Sequence, residues 1–214
     1  GKVIQDCAVT QVLFDDGNGG NDPGQGTGDQ RHAKGVVVKI GGRNGEERTY
    51  FSKEIVGAAG YQCPVAKAVV KDSFSEEMVD NMHYCGGYRE YWRNVKGCEG
   101  GIGDIEIHFV DSVVPGYFWI FPVNDEVANV GIGMVIGLLK KEKKKLKALQ
   151  KDVLENHPLF KERFAEAEMI EGSGKGWQLP FGSPRKKEKN QPRRASMNGI
   201  RLVGDSASLV DPFS

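Results

Sequence analysis

Tyr117-Phe118-Trp119-Ile120-Phe121-Pro122, followed after Val123 to Val130 by Gly131-Ile132-Gly133, is the stretch on which the fold turns. Side chains alternate between the two faces of a strand, so Tyr117, Trp119 and Phe121 point one way together and make a wide apolar wall with two polar tips. Pro122 has no backbone N–H to donate and ends the ladder. Gly131 and Gly133 leave room on a neighbouring strand for the close approach of a backbone or a ligand. The plain alternative is a hairpin in the core of a β-sheet.

Outward from this stretch, Ile105, Ile107 and Phe109 alternate with Glu106, His108 and Val110, which reads as a half-buried strand with one apolar face. Asp111 to Gly116 is a turn, and Val130 to Ile136 a third strand; together the three predict an antiparallel sheet. Tyr84, Tyr88 and Tyr91 have helical spacing, yet Gly86-Gly87 would cost a helix about 2 kcal/mol, so a strand is expected there. Leu138 to Ala167 reads as helical, broken at His157-Pro158 into two helices, with Phe160 and Phe164 on the apolar face of the second. Nearer the start, Val3, Ile4, Val9, Val12, Leu13 and Phe14 predict a strand pair. Gly35 to Ile40 and Glu47 to Val56 flank a hairpin turn at Gly41 to Gly45. Trp177 to Gly182 is an extended return, and Ile200 to Val203 a buried strand that delivers Gly204-Asp205.

Composition narrows the function classes. The chain has 214 residues, 39% of them hydrophobic, a mean hydropathy of -0.44, and 29 basic residues against 29 acidic ones, so no global charge points to nucleic acid. Two basic runs stand out: Lys140 to Lys147, with six lysines and one glutamate, and Arg185 to Arg194, with six basic residues and one glutamate. Each is either a solvated surface or a contact for an anionic membrane face. Cys7, Cys63, Cys85 and Cys98 form no C-x-x-C pair and have no histidines at ligand spacing, which argues against a metal site and for a reducing, cytoplasmic setting. His32, His83, His108 and His157 are scattered and read as structural. No apolar run is long enough to span a membrane. Gly17 to Gly28 is a glycine-rich surface loop, not the phosphate-binding opening of a dinucleotide fold.

Tyr-x-Trp-x-Phe-Pro, eight residues, then Gly-x-Gly resembles the signature of the geranylgeranyl reductases, flavoproteins that saturate isoprenoid double bonds. Leu202 to Ala207, then Val210-Asp211-Pro212-Phe213, is similar to the Gly-Asp motif of the wider p-hydroxybenzoate-hydroxylase-like flavoproteins. The resemblance implies an α+β fold and an internal portion of a two-domain flavoprotein. Residues 1–70 and 196–214 would belong to an FAD-binding α/β domain. Residues 71–195 would form a substrate-binding roof, an antiparallel sheet with helices over it. It implies FAD, reduced by NAD(P)H or ferredoxin, with Val3, Gly204, Asp205, Asp211 and Pro212 at the cofactor; Asp205 would bind the ribityl chain. Tyr117, Trp119, Phe121, Pro122, Gly131 and Gly133 would line the cavity for an isoprenoid lipid or prenyl diphosphate, with Tyr117 the candidate proton donor. A peripheral contact at the inner membrane face goes with the basic runs. Gly57-Ala58-Ala59-Gly60 departs from the family, where Ala59 is an aspartate associated with FAD. Three alternatives remain: an aromatic hydroxylase, a halogenase (whose related pattern is Trp-x-Trp-x-Ile-Pro), and a catalytically silent module that binds lipid without FAD.

Overall fold

The computed structural model describes residues 1–15, 31–42, 44–78, 80–98, 104–182 and 192–211. The chain opens with strands β1 (Cys7–Asp15), β2 (His32–Ile40), β3 (Glu46–Phe51) and β4 (Ile55–Gly57). Helix α1 (Pro64–Lys67) follows and continues as a wider π turn over Ala68–Ser73. Next come β5 (Tyr84–Arg93), β6 (Glu106–His108), β7 (Tyr117–Pro122) and β8 (Val127–Val135), then α2 (Ile136–Lys141), α3 (Leu146–Asn156) and α4 (Pro158–Lys161). The last strands are β9 (Glu168–Met169), β10 (Lys175–Pro180), β11 (Ser196–Met197) and β12 (Ile200–Leu202). The fold is α+β, as expected. The Gly17 to Gly28 loop, most of the Arg185 to Arg194 run, and Pro212 with Phe213 lie outside the described residues.

The chain divides into two compact units, Gly1–Asp80 with Pro180–Ser214, and Asn81–Leu179. These boundaries differ from the 70/71 and 195/196 read from sequence. Phe74 and Met78 pack against the first unit's core, which carries that unit past residue 70. At the other end Lys175–Pro180 pairs with β5 as a sheet strand, so the second unit stops near residue 180.

In the second unit the sheet order is β10-β5-β8-β7-β6, with β9 also on β5. Its two faces differ sharply. Phe118 and Ile120 of β7 and Val130, Ile132 and Met134 of β8 are fully buried against Leu149, Val153, Leu154, Phe160 and Phe164 of the helical segment. Gly86 on this face lets the helices close in: a Cβ there would stand 3.2 Å from Leu146 and 3.5 Å from Ile136. Tyr117, Trp119 and Phe121 point the other way and stay half-buried. β7 ends at Pro122, and Asn124 Oδ1 accepts from the Glu126 and Val127 amides to turn the chain into β8. Three helices, not two, follow the sheet. Lys143 at φ 54 breaks the first from the second. His157-Pro158 makes the second break, where the His157 ring accepts from the Leu159 amide.

The face of residues 105–110 is the reverse of the expected one. Ile105, Ile107 and Phe109 are 72%, 40% and 61% exposed. The inward positions are Glu106 and His108, because Arg163 reaches across to them. Its two terminal nitrogens donate to Glu106 Oε2 at 2.6 Å and Oε1 at 2.8 Å, and His108 bonds the same carboxylate at 2.8 Å. Arg163 donates as well to the Lys96 carbonyl at 2.8 Å. A half-buried ion pair on the core side thus takes the inward positions from the apolar residues, which periodicity alone could not reveal.

In the first unit β1, β2 and β3 form an antiparallel sheet, and β11, β12 and β4 a second one in which β12 runs parallel to β4. The expected strand pair within residues 3–14 is a single strand, β1, whose partner is β2. Val12, Ala33, Val65, Val69, Val70, Ile200 and Leu202 make the core. At the end of the second basic run, Arg194 stacks on Phe74 at 3.7 Å and pairs with Glu76 at 3.0 Å, so this arginine is turned into the unit.

Candidate functional site

The two sets of sequence-predicted residues fall in different units, the wall residues in the second and the cofactor residues in the first. On the second unit's sheet, register places Tyr117 opposite Gly133, Trp119 opposite Gly131, and Phe121 opposite Asn129; Gly133 and Gly131 in turn face Gly87 and Arg89 of β5. The wall is continuous: Tyr117 and Trp119 rings are 5.9 Å apart, and Trp119 and Phe121 rings 6.0 Å. The two glycines of the signature are occupied by the protein's own side chains. A Cβ at Gly131 would lie 2.2 Å from the Trp119 ring, which crosses β8 and reaches toward Gly87. Trp119 Nε1 donates to Asn129 Oδ1 at 3.0 Å, which fixes the indole. A Cβ at Gly133 would meet Cys85 Sγ at 3.3 Å. Pro122, expected to line the cavity, pairs with the buried Ala128 and so lies on the face of Phe118 and Ile120, opposite to the wall.

Burial, and secondarily Cys85, raises the Tyr117 phenol above its ordinary range, so it keeps its proton. Burial pushes the Cys85 thiol up to about 11, which leaves it neutral too. Sequence reading missed Cys85, Asn129 and Arg89 as members of this face. Alternation along β5 was the available signal, but it assigns a face only once the register with β8 is known.

In the first unit, β4 and β12 run side by side, with Leu202 opposite Gly57, so their carboxyl ends lie together. The two glycine-bearing loops leave from that edge, where open α/β sheets place ligands. The Val203 amide donates to the Gly57 carbonyl at 3.1 Å, and Ser206 Oγ to the Gly60 carbonyl at 3.1 Å, which ties the loops together. Gly204 has φ 55, and open space surrounds the position its Cβ would take. Asp205 lies within the Gly204–Ala207 turn; the residue before that turn is Val203, so Asp205 is not its N-cap. Its carboxylate makes no hydrogen bond among the described residues. Asp211 follows on the exposed segment after Val210, which donates to the Pro180 carbonyl at 3.2 Å. Val3 precedes β1 and is 84% exposed, with no hydrogen bond to the Gly204 turn among the described residues. Ala59 lies exposed just before the Gly60–Gln62 turn.

Arg193 also escaped the sequence reading. It is only 8% exposed, and its Nη1 donates to Ser208 Oγ and to the Met78 carbonyl. Ser208 closes the Gly204–Ala207 turn in the left-handed region, so Arg193 ties the end of that turn to Met78. Among the described residues no group of three His, Cys, Asp or Glu side chains could hold a metal ion. No described helix is long and apolar enough to cross a membrane.

Residues 86–174 match the geranylgeranyl reductase catalytic domain. The digeranylgeranylglycerophospholipid reductase of Thermoplasma volcanium is 34% identical over 107 residues, 50% of this chain and 24% of that protein. Its counterpart from Methanococcus vannielii is 30% identical over 171 residues, 79% of this chain and 38% of the relative. The chain therefore spans well under half the length of the curated relatives it matches. Among solved structures, a geranylgeranyl bacteriochlorophyll reductase-like protein of Thermoplasma acidophilum superposes with a TM-score of 0.67 at 19% identity, covering 97% of this chain and 43% of that one. The myxobacterial chondrochloren halogenase, an FAD-dependent halogenase, gives 0.65 at 22% identity over 96% of this chain and 41% of its own. These findings relate the chain to the geranylgeranyl reductases and give it the fold of the wider flavoprotein group.

Proposed function

We propose that this protein is an FAD-dependent reductase of carbon–carbon double bonds in geranylgeranyl-type isoprenoid chains, working in lipid biosynthesis. The observation that carries the reading is the split of β7. Phe118 and Ile120 supply the core, while Tyr117, Trp119 and Phe121 form an aromatic face that the unit's own helices leave uncovered. A sheet needing only a core has no use for a second aromatic face. Tyr117 and Phe121 stand where the halogenase pattern has Trp and Ile, which favours the reductase.

The first unit's residues fit FAD. Bare backbone at Gly204, open space at its Cβ, and a carboxylate at Asp205 free to accept from a ribityl hydroxyl suit a polar chain laid along the loop. Asp211 would continue that contact. Bound FAD, reduced by NAD(P)H or ferredoxin, would supply the hydride. The chain's residues do the rest. The wall binds an isoprenoid through apolar area, at roughly 25 cal/mol per Å², and excludes water. Its ring faces favour positive charge developing on a tertiary carbon by about 1–2 kcal/mol. Tyr117 holds the proton to be donated. Lys141, Lys143, Lys145 and Lys147 are exposed and would draw the protein to an anionic membrane face, at roughly 1 kcal/mol each; Lys140 and Lys144 are held locally by Asn81 and Glu142.

Trp119→Leu in the full-length protein tests the reading. The variant should stay folded and flavin-bound while the pattern of saturated isoprenoid products changes. A variant that keeps its flavin and yields the wild-type products would show the wall to be structural only.

A further inference from the structure

On the helix side of the second unit's sheet a cavity of about 420 Å³ opens between β5, β9 and α3. That volume lies within the range of roughly 300–1,000 Å³ that holds small ligands. Its sides are apolar, from Trp92, Ala148, Leu154 and Met169. The shape is built in. Trp92 Nε1 donates to Glu90 Oε2 at 3.2 Å, and the indole meets the Phe164 ring edge-on at 5.4 Å. Glu90, also in the lining, is 8% exposed and accepts from the Tyr88 hydroxyl at 2.8 Å and from Gln150 Nε2 at 3.0 Å. Three of the roughly four acceptor sites of its carboxylate are thus taken. Lys145 caps the start of α3, and Lys147 and Lys151 stand one turn apart on it. All three line the cavity and are exposed, so they ring its mouth, while the buried Leu154 and Glu90 lie at its base. Glu155 shares the rim, 3.7 Å from Lys151; Lys145 and Lys147 make no ion pair among the described residues.

An apolar slot with cations at its mouth and a carboxylate at its base sorts ligands by both ends. A hydrocarbon chain enters, and an anionic head stays out at the lysines, drawn by them and repelled by Glu90. A cationic head meets the lysines first, and the oxygens of Glu90 are already engaged. We infer that this cavity is an accessory site for a single-chain anionic amphiphile, a long-chain carboxylate taken up from solution. Glu90 and Trp92 alternate along β5 with Arg89 and Tyr91, so the site lies across the sheet from the aromatic wall and needs no part of the reductase reading. Asp152 and Glu155 of α3 and Glu168 of β9 are exposed nearby, which favours one head group over an extended anionic surface that would meet these carboxylates too. The fixed Trp92 leaves little to be ordered when the chain arrives.

The test is calorimetric titration of the full-length protein with decanoate, decanol and decylamine, each below its solubility and micelle limits. Wild type should bind decanoate roughly 3- to 10-fold tighter than decanol, a modest factor because the lysines are exposed, and decylamine most weakly. Replacing the three lysines together (Lys145→Gln, Lys147→Gln, Lys151→Gln) should bring decanoate down to the level of decanol and leave decanol unchanged. Ala148→Phe, at an exposed helix position, should fill the cavity and weaken both ligands by at least about 10-fold. Trp119→Leu, on the other face, should change neither. Thermal melting reports folding; if Ala148→Phe does not fold, Met169→Phe, at a position 43% exposed, takes its place. Loss of binding in Trp119→Leu but not in Ala148→Phe would put the ligand on the wall and overturn the proposal. Tighter binding of decylamine than of decanoate overturns it too, as does no binding by wild type, the result expected if another segment of the full-length protein covers the cavity. Sedimentation with phosphatidylglycerol vesicles that depends on the three lysines, without decanoate binding, would assign them to a membrane face instead.

Discussion

At the scale of single residues, the Trp119 ring fills the space that Gly131 leaves, and Cys85 lies against Gly133. Gly131 is the seat of the Trp119 ring, so Gly131→Ala must push the indole aside or shift β8. A loss of about 1–3 kcal/mol is expected, with a change in tryptophan fluorescence; urea denaturation and emission spectra check both. Cys85 makes a pH prediction. Its thiol is raised from 9.0 to about 11 in the folded protein, so the unfolded chain loses its proton first. The stability linked to it is complete below about pH 9 and lost as pH rises toward 11. Tyr88, pushed up to about 12 by burial and then by the Glu90 carboxylate its hydroxyl donates to, acts in the same direction at higher pH. Cys85→Ser should therefore flatten the fall in stability between about pH 9 and 11, measured by denaturant titration across that window. Arg193→Met should lower flavin content by loosening Ser208, while unit melting shifts only modestly; an unchanged flavin content would leave Arg193 with a packing role alone.

At the scale of elements, alternation and breakers carried much of the reading, and they failed where an ion pair took the core side of a strand. β7, the β2–β3 hairpin and the break at His157-Pro158 follow from residue pattern, because aromatics, glycine turns and proline act locally. The inward face of β6 does not, since Arg163 lies over fifty residues away and its effect on Glu106 is invisible to a short window. The same limit hid Arg89, whose place on the wall depends on which residue of β8 it meets. The Glu106–Arg163–His108 cluster can be weighed directly. Arg163, first, and His108 hold the Glu106 carboxyl below its usual range. A lowered carboxyl contributes stability above its unfolded pKa, and that contribution is lost as pH falls through the folded one. Glu106→Gln should cost about 1–2 kcal/mol at neutral pH, with the gap to wild type closing in acid. A gap that persists in acid would mean the loss is one of packing.

At the scale of the molecule, the second unit is one unbroken segment with its own core, while the first is assembled from two. The second unit's first and last strands, β5 and β10, are neighbours in the sheet, so its ends emerge side by side, as in a segment inserted into a host. Residues 81–180 expressed alone should fold with a single cooperative transition by circular dichroism; a non-cooperative melt would show that the core is incomplete without the rest. The split of β7 reaches further than the site. On the proposed reading, neighbouring positions on one strand answer to different demands: 118 and 120 to persistence of the fold, 117, 119 and 121 to which molecule is accepted. In a library of single variants, abundance and product spectrum should alternate with period two along this strand. A lineage could then drift in substrate by altering odd positions while the even ones keep the protein in circulation, which leaves such a sheet free to change its chemistry without first being rebuilt.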